Sequence, residues 1–378
     1  MKPSLHMKAP LQILAVVGIT LGVSVLARAD IVVRLSVKAV LDPATGARQT
    51  NVTEQVFSNT IAGMNEIMAT FGRGYRYEWV GNRLIDVGGL GQTNAGSGPS
   101  YYFDQDLTED GTSNGGVLNH EFETNAMANP TLYGWDFTAV NLYIVRMGGR
   151  QSGSITWGNH IFLLGNAPPG RGYGRVHTVI HEVGHHFSLK HTHEGELYEN
   201  ANHSPCTNRC ACARLIGGTN DLIADTIADH ECWNSQDDIA QGNYLLNYAD
   251  LTNPQKAAVD RVWMNIMSYH DGQGTNEANI FTSDQLDRWT DSANSDRSAE
   301  VSGLTHFVDR NNGCIAPVGS SACQNNVGGP LTTLAGGIAF AVPGDIVLVR
   351  VGHYNEPMTI RKAITLRATR GNVLLGKP

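Results

Sequence analysis

Hydrophobic residues recur along this chain with two different periods, which predict alternating strands and helices. Between positions 33 and 41 apolar residues mostly alternate with polar ones, and this predicts a half-buried strand. From Phe57 to Phe71 the apolar spacing is helical, and the helix is expected to begin near Asn51 and Glu54. Further strand-like runs lie at 75–80, 83–87, 137–145 and 160–164. The pattern therefore predicts an α+β fold, a mixed twisted sheet that carries helices.

Two later segments change this picture. Residues 88–116 are dominated by Gly, Ser, Asn and Asp, which predicts a long surface loop that contributes little to the hydrophobic core. Apolar residues then recur at intervals of four, three and four in Val176, Ile180, Val183 and Phe187. This spacing predicts an amphipathic helix across the lower edge of the sheet, with a polar face opposite its apolar stripe.

The polar face of this helix carries the residues of a metal site. His181 and His185 are four residues apart, so they lie one turn apart on one face and both imidazoles can reach one zinc ion. Glu182 falls beside such an ion without binding it, where it can accept a proton from water. His191 follows six residues after His185, so the chain must turn back for this third imidazole to close the site. Three histidines and a water molecule are typical of a catalytic zinc.

The eleven residues from His181 to His191 resemble the HExxHxxGxxH signature of the metzincin metallopeptidases. They depart from it at Ser188, where the signature has Gly. Gly permits a turn with positive φ, and a Ser in that conformation costs on the order of 1 kcal/mol. We expect Ser188 to adopt this conformation and His191 to be the third zinc ligand.

Three further segments narrow the resemblance to the pappalysin family of metzincins, over roughly residues 176–290. One of them, Asn-Ile-Met-Ser-Tyr at 265–269, resembles the family's Met-turn. The resemblance implies that Met267 forms an apolar floor beneath the imidazoles, and that Tyr269 is placed to approach the zinc and the reacting carbonyl. Another, Phe-Thr-Ser-Asp-Gln at 281–285, opens a helix, because Thr282 and Gln285 form a capping box.

The third segment, Asn-Asp-Leu-Ile-Ala-Asp-Thr at 220–226, resembles a family segment that continues into Pro and helps to bind structural calcium. Here Ile227 stands in place of that Pro. The resemblance implies a calcium ion near Asp221 and Asp225, because carboxylates and loop carbonyls suit a hard cation. Solvated loop acids are the alternative.

Residues 1–29 are typical of a secretory signal peptide. Lys2 and Lys8 precede an apolar run from about Leu11 to Leu26, and Ala27-Arg28-Ala29 supplies small residues at a cleavage site. A membrane anchor is the alternative. Cleavage would change the formal charge of the chain from −8 to −11. The mature chain would then be acidic and has no stripe of Lys and Arg residues to bind phosphates, which argues against nucleic-acid binding. We expect a secreted protein, extracellular or periplasmic, with no membrane association after cleavage.

Six cysteines in an exported chain predict disulfides. Cys314 and Cys323 form a separate local pair. The remaining four follow the zinc motif and allow three connectivities: Cys206, Cys210, Cys212 and Cys232. A structural metal bound by these four is the alternative, but their spacing lacks the CxxC pairs of zinc ribbons.

After about Ser302 the sequence changes to short strand-like runs at near-even intervals, separated by Gly and Asn turns. This tail resembles the first coils of a right-handed parallel β-helix of the pectate-lyase type, and it is a candidate for carbohydrate or cell-surface contact. The predicted division is a signal peptide at 1–29, a zinc metallopeptidase domain at 30–304 and a β-helix-like segment at 305–378.

Together these features predict a secreted zinc endopeptidase that acts on protein or peptide substrates, with Glu182 as general base and Tyr269 as a donor to the developing oxyanion. Two alternatives stay open. In a gluzincin-type peptidase, Glu194 or Glu196 would be the third ligand. In an extracellular binding or adhesion module the zinc would be structural, which the intact Glu182 and the lack of a fourth protein ligand disfavour.

Overall fold

A computed structural model describes residues 31–107, 115–147, 154–165, 172–200, 202, 204, 209–212, 214–270, 279–302, 305–308, 331–341, 344–350, 352–356, 359–368 and 373–375. Its strands are β1 (Ile31–Val40), β2 (Tyr75–Trp79), β3 (Ile85–Val87), β4 (Val140–Val145), β5 (Ser154–Trp157), β6 (His160–Leu164), β7 (Leu197–Glu199), β8 (Arg214–Ile216), β9 (Val301–Ser302), β10 (Thr305–Val308), β11 (Ile346–Val349), β12 (Gly352–Tyr354), β13 (Thr365–Ala368) and β14 (Val373–Leu375). Its α-helices are α1 (Glu54–Thr70), α2 (Gly115–Ala128), α3 (Pro130–Tyr133), α4 (Val176–His186), α5 (Gln236–Tyr244), α6 (Asn253–Trp263), α7 (Ser283–Asn294) and α8 (Leu334–Phe340). The chain is therefore an α+β protein.

The main sheet is mixed, in the order β2-β1-β4-β6-β5. Strand β1 pairs in parallel with β2, β3 and β4, and antiparallel with the short β9. Strand β6 is parallel to β4, whereas β5 is antiparallel to β6 and forms an edge of the sheet. The sheet therefore ends at β5, which lies next to the zinc-motif helix α4.

The expectation that β1 is half-buried is wrong, because both faces of the sheet are covered. All of its residues except Arg34 are buried, including Ser36 and Lys38 at polar positions of the alternating pattern. Lys38 is fully buried, and its Nζ donates to Asn141 Oδ1 (2.5 Å) and to the Ser36 carbonyl (3.0 Å). Hydrogen bonds inside the protein thus replace the water that the alternation implied.

Helices α1 and α4 cover one face of the sheet and share its largest core. Phe57, Met64 and Met68 of α1 are buried, as their spacing predicts. The helix begins at Glu54, and its N-cap is Thr53, two residues after Asn51, because the Thr53 side chain accepts the hydrogen bond from Val56 N. The capping box of Thr282 and Gln285 on α7 is confirmed, and Trp289 of that helix is fully buried in the same core.

The expectation of a long surface loop over residues 88–116 is wrong for the middle part of this segment. Tyr102, Phe103 and Leu107 are buried in a second core on the other face of the sheet, packed with Phe122 and Tyr143. Tyr102 and Phe122 make an edge contact with ring centroids 4.9 Å apart. A 3₁₀ turn at Pro99–Asp104 carries these aromatic residues, so neither the helical nor the strand period reveals their burial.

The C-terminal part has its own small core, built on Val308, Leu334, Val347, Val349 and Tyr354. Strands β10, β11 and β13 form one parallel sheet, and β12 pairs in parallel with β14. From β11 onward the chain visits the two sheets alternately. This is a parallel β arrangement, and the β-helix stays a prediction.

The predicted signal peptide, Cys206, Cys314 and Cys323 lie outside the described residues. Within the described part of the chain, no helix combines the length and apolarity needed to cross a membrane.

Candidate metal centre

Helix α4 presents the first two histidines of the motif because its opposite side is fixed in the core. Val179, Ile180 and Val183 are fully buried, and His181 and His185 lie on the side that lines a cleft. The helix ends at His186, where the chain reverses direction.

Ser188 makes this reversal with a φ of +67°, so the expected left-handed conformation is confirmed. Leu189 N donates to the Gly184 carbonyl (3.0 Å), which closes the end of the helix. The reversal brings His191 back towards the two helical histidines.

The three imidazoles converge on one point. Their Nε2 atoms are 3.1 Å apart for His181 and His185, 3.0 Å for His185 and His191, and 3.3 Å for His181 and His191. Nitrogen ligands around a tetrahedral zinc are roughly 3.3–3.4 Å apart, given Zn–N distances of about 2.0–2.1 Å. The triangle therefore already has nearly the size of such a site.

Hydrogen bonds fix which nitrogen of each helical histidine faces this point. His181 Nδ1 donates to the Ile266 carbonyl (2.7 Å), and His185 Nδ1 donates to the Leu189 carbonyl (2.8 Å). Burial lowers the pKa of His181 to about 4 and that of His185 to about 3, so both rings are neutral near pH 7. Each Nε2 therefore presents a lone pair. Converging lone pairs of this kind can bind a cation, and the chemistry of the three residues fits a metal ion.

Glu182 lies beside the triangle and is only 6% exposed. Its Oε2 accepts a hydrogen bond from Thr156 Oγ1 on strand β5 (2.7 Å). Burial raises the pKa of the Glu182 carboxyl to about 7, and the Thr156 hydroxyl opposes this rise. The side chain thus holds and releases a proton near neutral pH.

Met267 lies against α4 and is fully buried. The turn at 265–269 is held to the segment that carries His191, because Thr192 N donates to the Met267 carbonyl (3.1 Å). Gly184 makes this packing possible, since a Cβ on Gly184 would lie 2.7 Å from the Met267 sulfur.

Tyr269 lines the same cleft as the histidines and is 48% exposed. Its ring centroid is 4.7 Å from that of His191 and 6.0 Å from that of His181. The structure thus brings Tyr269 together with His181, His185, His191 and Glu182.

The two acids of the calcium prediction lie elsewhere. Asp221 is buried, and its carboxylate accepts hydrogen bonds from Ile223 N (3.1 Å) and Thr226 Oγ1 (2.6 Å). Asp225 Oδ2 accepts from Asp284 N (3.3 Å), while its buried Oδ1 has no hydrogen-bond partner among the described residues. The hydrogen bonds of the Asp221 carboxylate do not require a cation. A calcium ion bound by Asp221 and Asp225 stays a prediction.

The acids considered as alternative third ligands do not occupy that position. Glu194 lies at the cleft wall, 3.9 Å from Lys190 Nζ. Glu196 accepts a hydrogen bond from Glu231 N (2.7 Å) instead.

Of the clustered cysteines, Cys210 is bonded to Cys232, and Cys212 is also in a disulfide. These pairs exclude a structural metal on four free thiolates.

The cleft has a volume of about 640 Å³ and is bounded by the edge strand β5 on one side. Arg297 fixes the β5–β6 turn to the end of α4, because it donates to the Gly158 carbonyl (2.7 Å) and to the His186 carbonyl (3.0 Å). The edge strand is therefore held at a constant position beside the three histidines.

No protein-family model matches this chain, and a search of curated proteins finds no significant match. The site is therefore characterised by its own geometry.

Three residues that orient the site without carrying its chemistry were not predicted from the sequence: Thr156, Gly184 and Arg297. Only Gly184 had a local signal, as a glycine between two histidines of a helix.

Proposed function

We propose that this protein is a secreted zinc-dependent endopeptidase. The observation that carries the proposal is the triangle of Nε2 atoms at 3.0–3.3 Å beside a buried carboxylate in an open cleft. The match of the residues to the metzincin and pappalysin motifs supports the same function. Zinc is preferred to other metals because three imidazoles with an open position suit catalytic zinc.

His181, His185 and His191 would hold the ion. When bound, zinc supplies a Lewis acid that polarises a peptide carbonyl and makes water more acidic. Glu182 is the proposed general base. Thr156 binds its Oε2, so the proton from the attacking water is held at Oε1 and then passes to the leaving amine. Tyr269 would donate its hydroxyl proton in a hydrogen bond to the carbonyl oxygen as charge develops there.

A polypeptide substrate is supported by the wall of the cleft. Strand β5 pairs with β6 along one side and is the last strand of the sheet order. Ser154, Ile155 and Thr156 of this strand line the cleft. An extended peptide can add to such an edge through backbone hydrogen bonds, which hold its scissile bond in a fixed register.

Export of the protein is part of the proposal. The Cys210–Cys232 bond fits an oxidising compartment. The signal-peptide pattern at 1–29 supports the same localisation, and the C-terminal parallel sheets are a candidate surface for carbohydrate or cell-surface contact. A structural zinc in an adhesion module would not require the buried Glu182 and its Thr156 partner beside an open cleft.

The test is cleavage of a denatured polypeptide by the wild type and by two glutamate variants, with zinc content measured in each. Glu182→Gln should keep its zinc and lose about 10²–10⁴-fold in kcat, because the general base is gone. Glu194→Gln changes an acid at the cleft wall with no assigned role in proton transfer and should keep wild-type kcat within a few-fold. Near wild-type turnover by Glu182→Gln would refute the assigned mechanism.

A further inference from the structure

A second group of metal-ligating side chains lies next to the three-histidine site. The group consists of His193, Glu196 and Glu231, and one ligand atom from each lies within 4.8 Å of the others. His193 is only 6% exposed, and its buried Nδ1 has no hydrogen-bond partner among the described residues. This buried imidazole beside two carboxylates needs an explanation that packing does not supply.

The two carboxylates lie on either side of one tyrosine hydroxyl. The Tyr198 hydroxyl approaches Glu196 Oε1, and it also lies 2.5 Å from Glu231 Oε1. A hydroxyl has one proton, so it donates to one of these two oxygens at a time. Carboxylate oxygens of Glu196 and Glu231 are thus held close together beside the His193 imidazole, and a cation among the three side chains would reduce the repulsion between them.

We propose that His193, Glu196 and Glu231 bind a second divalent transition-metal ion, separate from the zinc of the first site. One imidazole nitrogen with two carboxylates suits zinc or manganese, whereas calcium takes oxygen ligands alone. Ligand atoms around one such ion are roughly 3–4 Å apart, so the side chains close on it by rotamer adjustment of about 1 Å.

The ion would join two segments that the catalytic site depends on. His193 and Glu196 belong to the segment after the third ligand, and Glu231 adjoins Cys232 of the Cys210–Cys232 disulfide. The His193 ring stacks on that of His191, with centroids 4.7 Å apart and planes 14° apart. The same ring lies 4.6 Å from the ring of Tyr269. A metal ion on His193 therefore fixes the ring that supports both His191 and Tyr269.

Zinc stoichiometry of the full chain tests this site separately from the first one. The metal-free protein is dialysed against a fixed free zinc concentration, and bound zinc per chain is measured by mass spectrometry. We expect two zinc ions in the wild type and one in the double variant Glu196→Gln/Glu231→Gln. We expect one in His185→Ala, and none when all three changes are combined. Glu199→Gln is the matched control, an acid that pairs with Arg214 (3.0 Å), and it should keep both ions.

The zinc ion kept at the first site shows that the double variant is folded. If the double variant does not fold, anomalous diffraction from wild-type crystals at the zinc edge provides the second test, with a peak expected between His193, Glu196 and Glu231. One zinc per wild-type chain with no anomalous peak there would overturn the proposal. Two zinc ions retained by a folded double variant would also overturn it.

Discussion

Ser188 has the backbone conformation on which the position of His191 depends. Its φ of +67° is unfavourable for a residue with a Cβ, by about 1–2 kcal/mol. Ser188→Gly should therefore raise the free energy of unfolding by about 0.5–1 kcal/mol, since glycine's greater freedom in the unfolded chain offsets part of the gain. Denaturant titration of the metal-free proteins measures this.

A β-branched residue at the same position provides the contrast. Ser188→Val should lower the free energy of unfolding and weaken zinc binding, because its side chain is still less compatible with positive φ. Equal stability of the Ser, Gly and Val proteins would show that this turn is not under strain.

Thr156 on strand β5 positions the proposed base, Glu182 on helix α4. Thr156→Val removes the hydrogen bond to Glu182 Oε2 at nearly constant volume and should lower kcat roughly 10- to 100-fold with zinc content unchanged. Thr156→Ser keeps the hydroxyl and should stay close to the wild type. A Val variant as active as the Ser variant would mean that Glu182 is oriented without this bond.

At the scale of elements, helix α4 and the turn at 265–269 are in contact because Gly184 has no side chain. Gly184→Ala would place a Cβ 2.7 Å from the sulfur of the fully buried Met267. We expect a loss of about 1–3 kcal/mol in the free energy of unfolding and weaker zinc binding, as for other overpacked cores. Thermal unfolding and zinc titration measure the two effects.

Gly89→Ala is the control for this substitution. Its added Cβ would meet nothing within 4 Å, so stability should be unchanged or slightly increased. A Gly184→Ala protein with unchanged stability and unchanged zinc affinity would mean that the turn at 265–269 can move away from helix α4 without affecting the site.

The elements that the sequence predicts best are those with a clear local signal, which is a helical stripe, a capping box or a short apolar run. The stripe of α4, the capping box of α7 and strand β6 at His160–Leu164 all occur as expected. The sequence does not predict the burial of Lys38, because its partner Asn141 lies on another strand. Thr156 is likewise placed beside Glu182 only by the pairing of β5 with β6. Contacts between distant segments therefore limit what could be predicted of the site.

At the scale of the whole molecule, the proposed catalytic groups and the C-terminal core belong to separate parts of the chain. Among the described residues, the C-terminal core is built from Val308 and residues after it. Strand β9 belongs with the main sheet, since Val301 and Ser302 pair with Val33 and Val32. A boundary just after Ser302 therefore leaves the main sheet intact.

A protein that ends at Ser302 should fold, bind zinc and cleave polypeptides at the wild-type rate within a few-fold. A protein that ends before Arg297 should be unstable, because it loses β9, the bonds of Arg297 to the β5–β6 turn and the bond between His186 and Glu300 (2.5 Å). Circular dichroism and activity assays distinguish the two. Loss of catalysis in the longer protein, with zinc still bound, would show that the C-terminal part shapes the cleft.

The central claim is that a zinc ion on His181, His185 and His191 makes this protein a peptidase. The most direct measurement is the rate of polypeptide cleavage as zinc is added back to the metal-free full chain. We predict no cleavage without metal, and a rate that rises with zinc until the three-histidine site is filled. His191→Ala should not recover at the same zinc concentrations. Cleavage that persists in the metal-free protein, or a filled three-histidine site without any cleavage, would contradict the account.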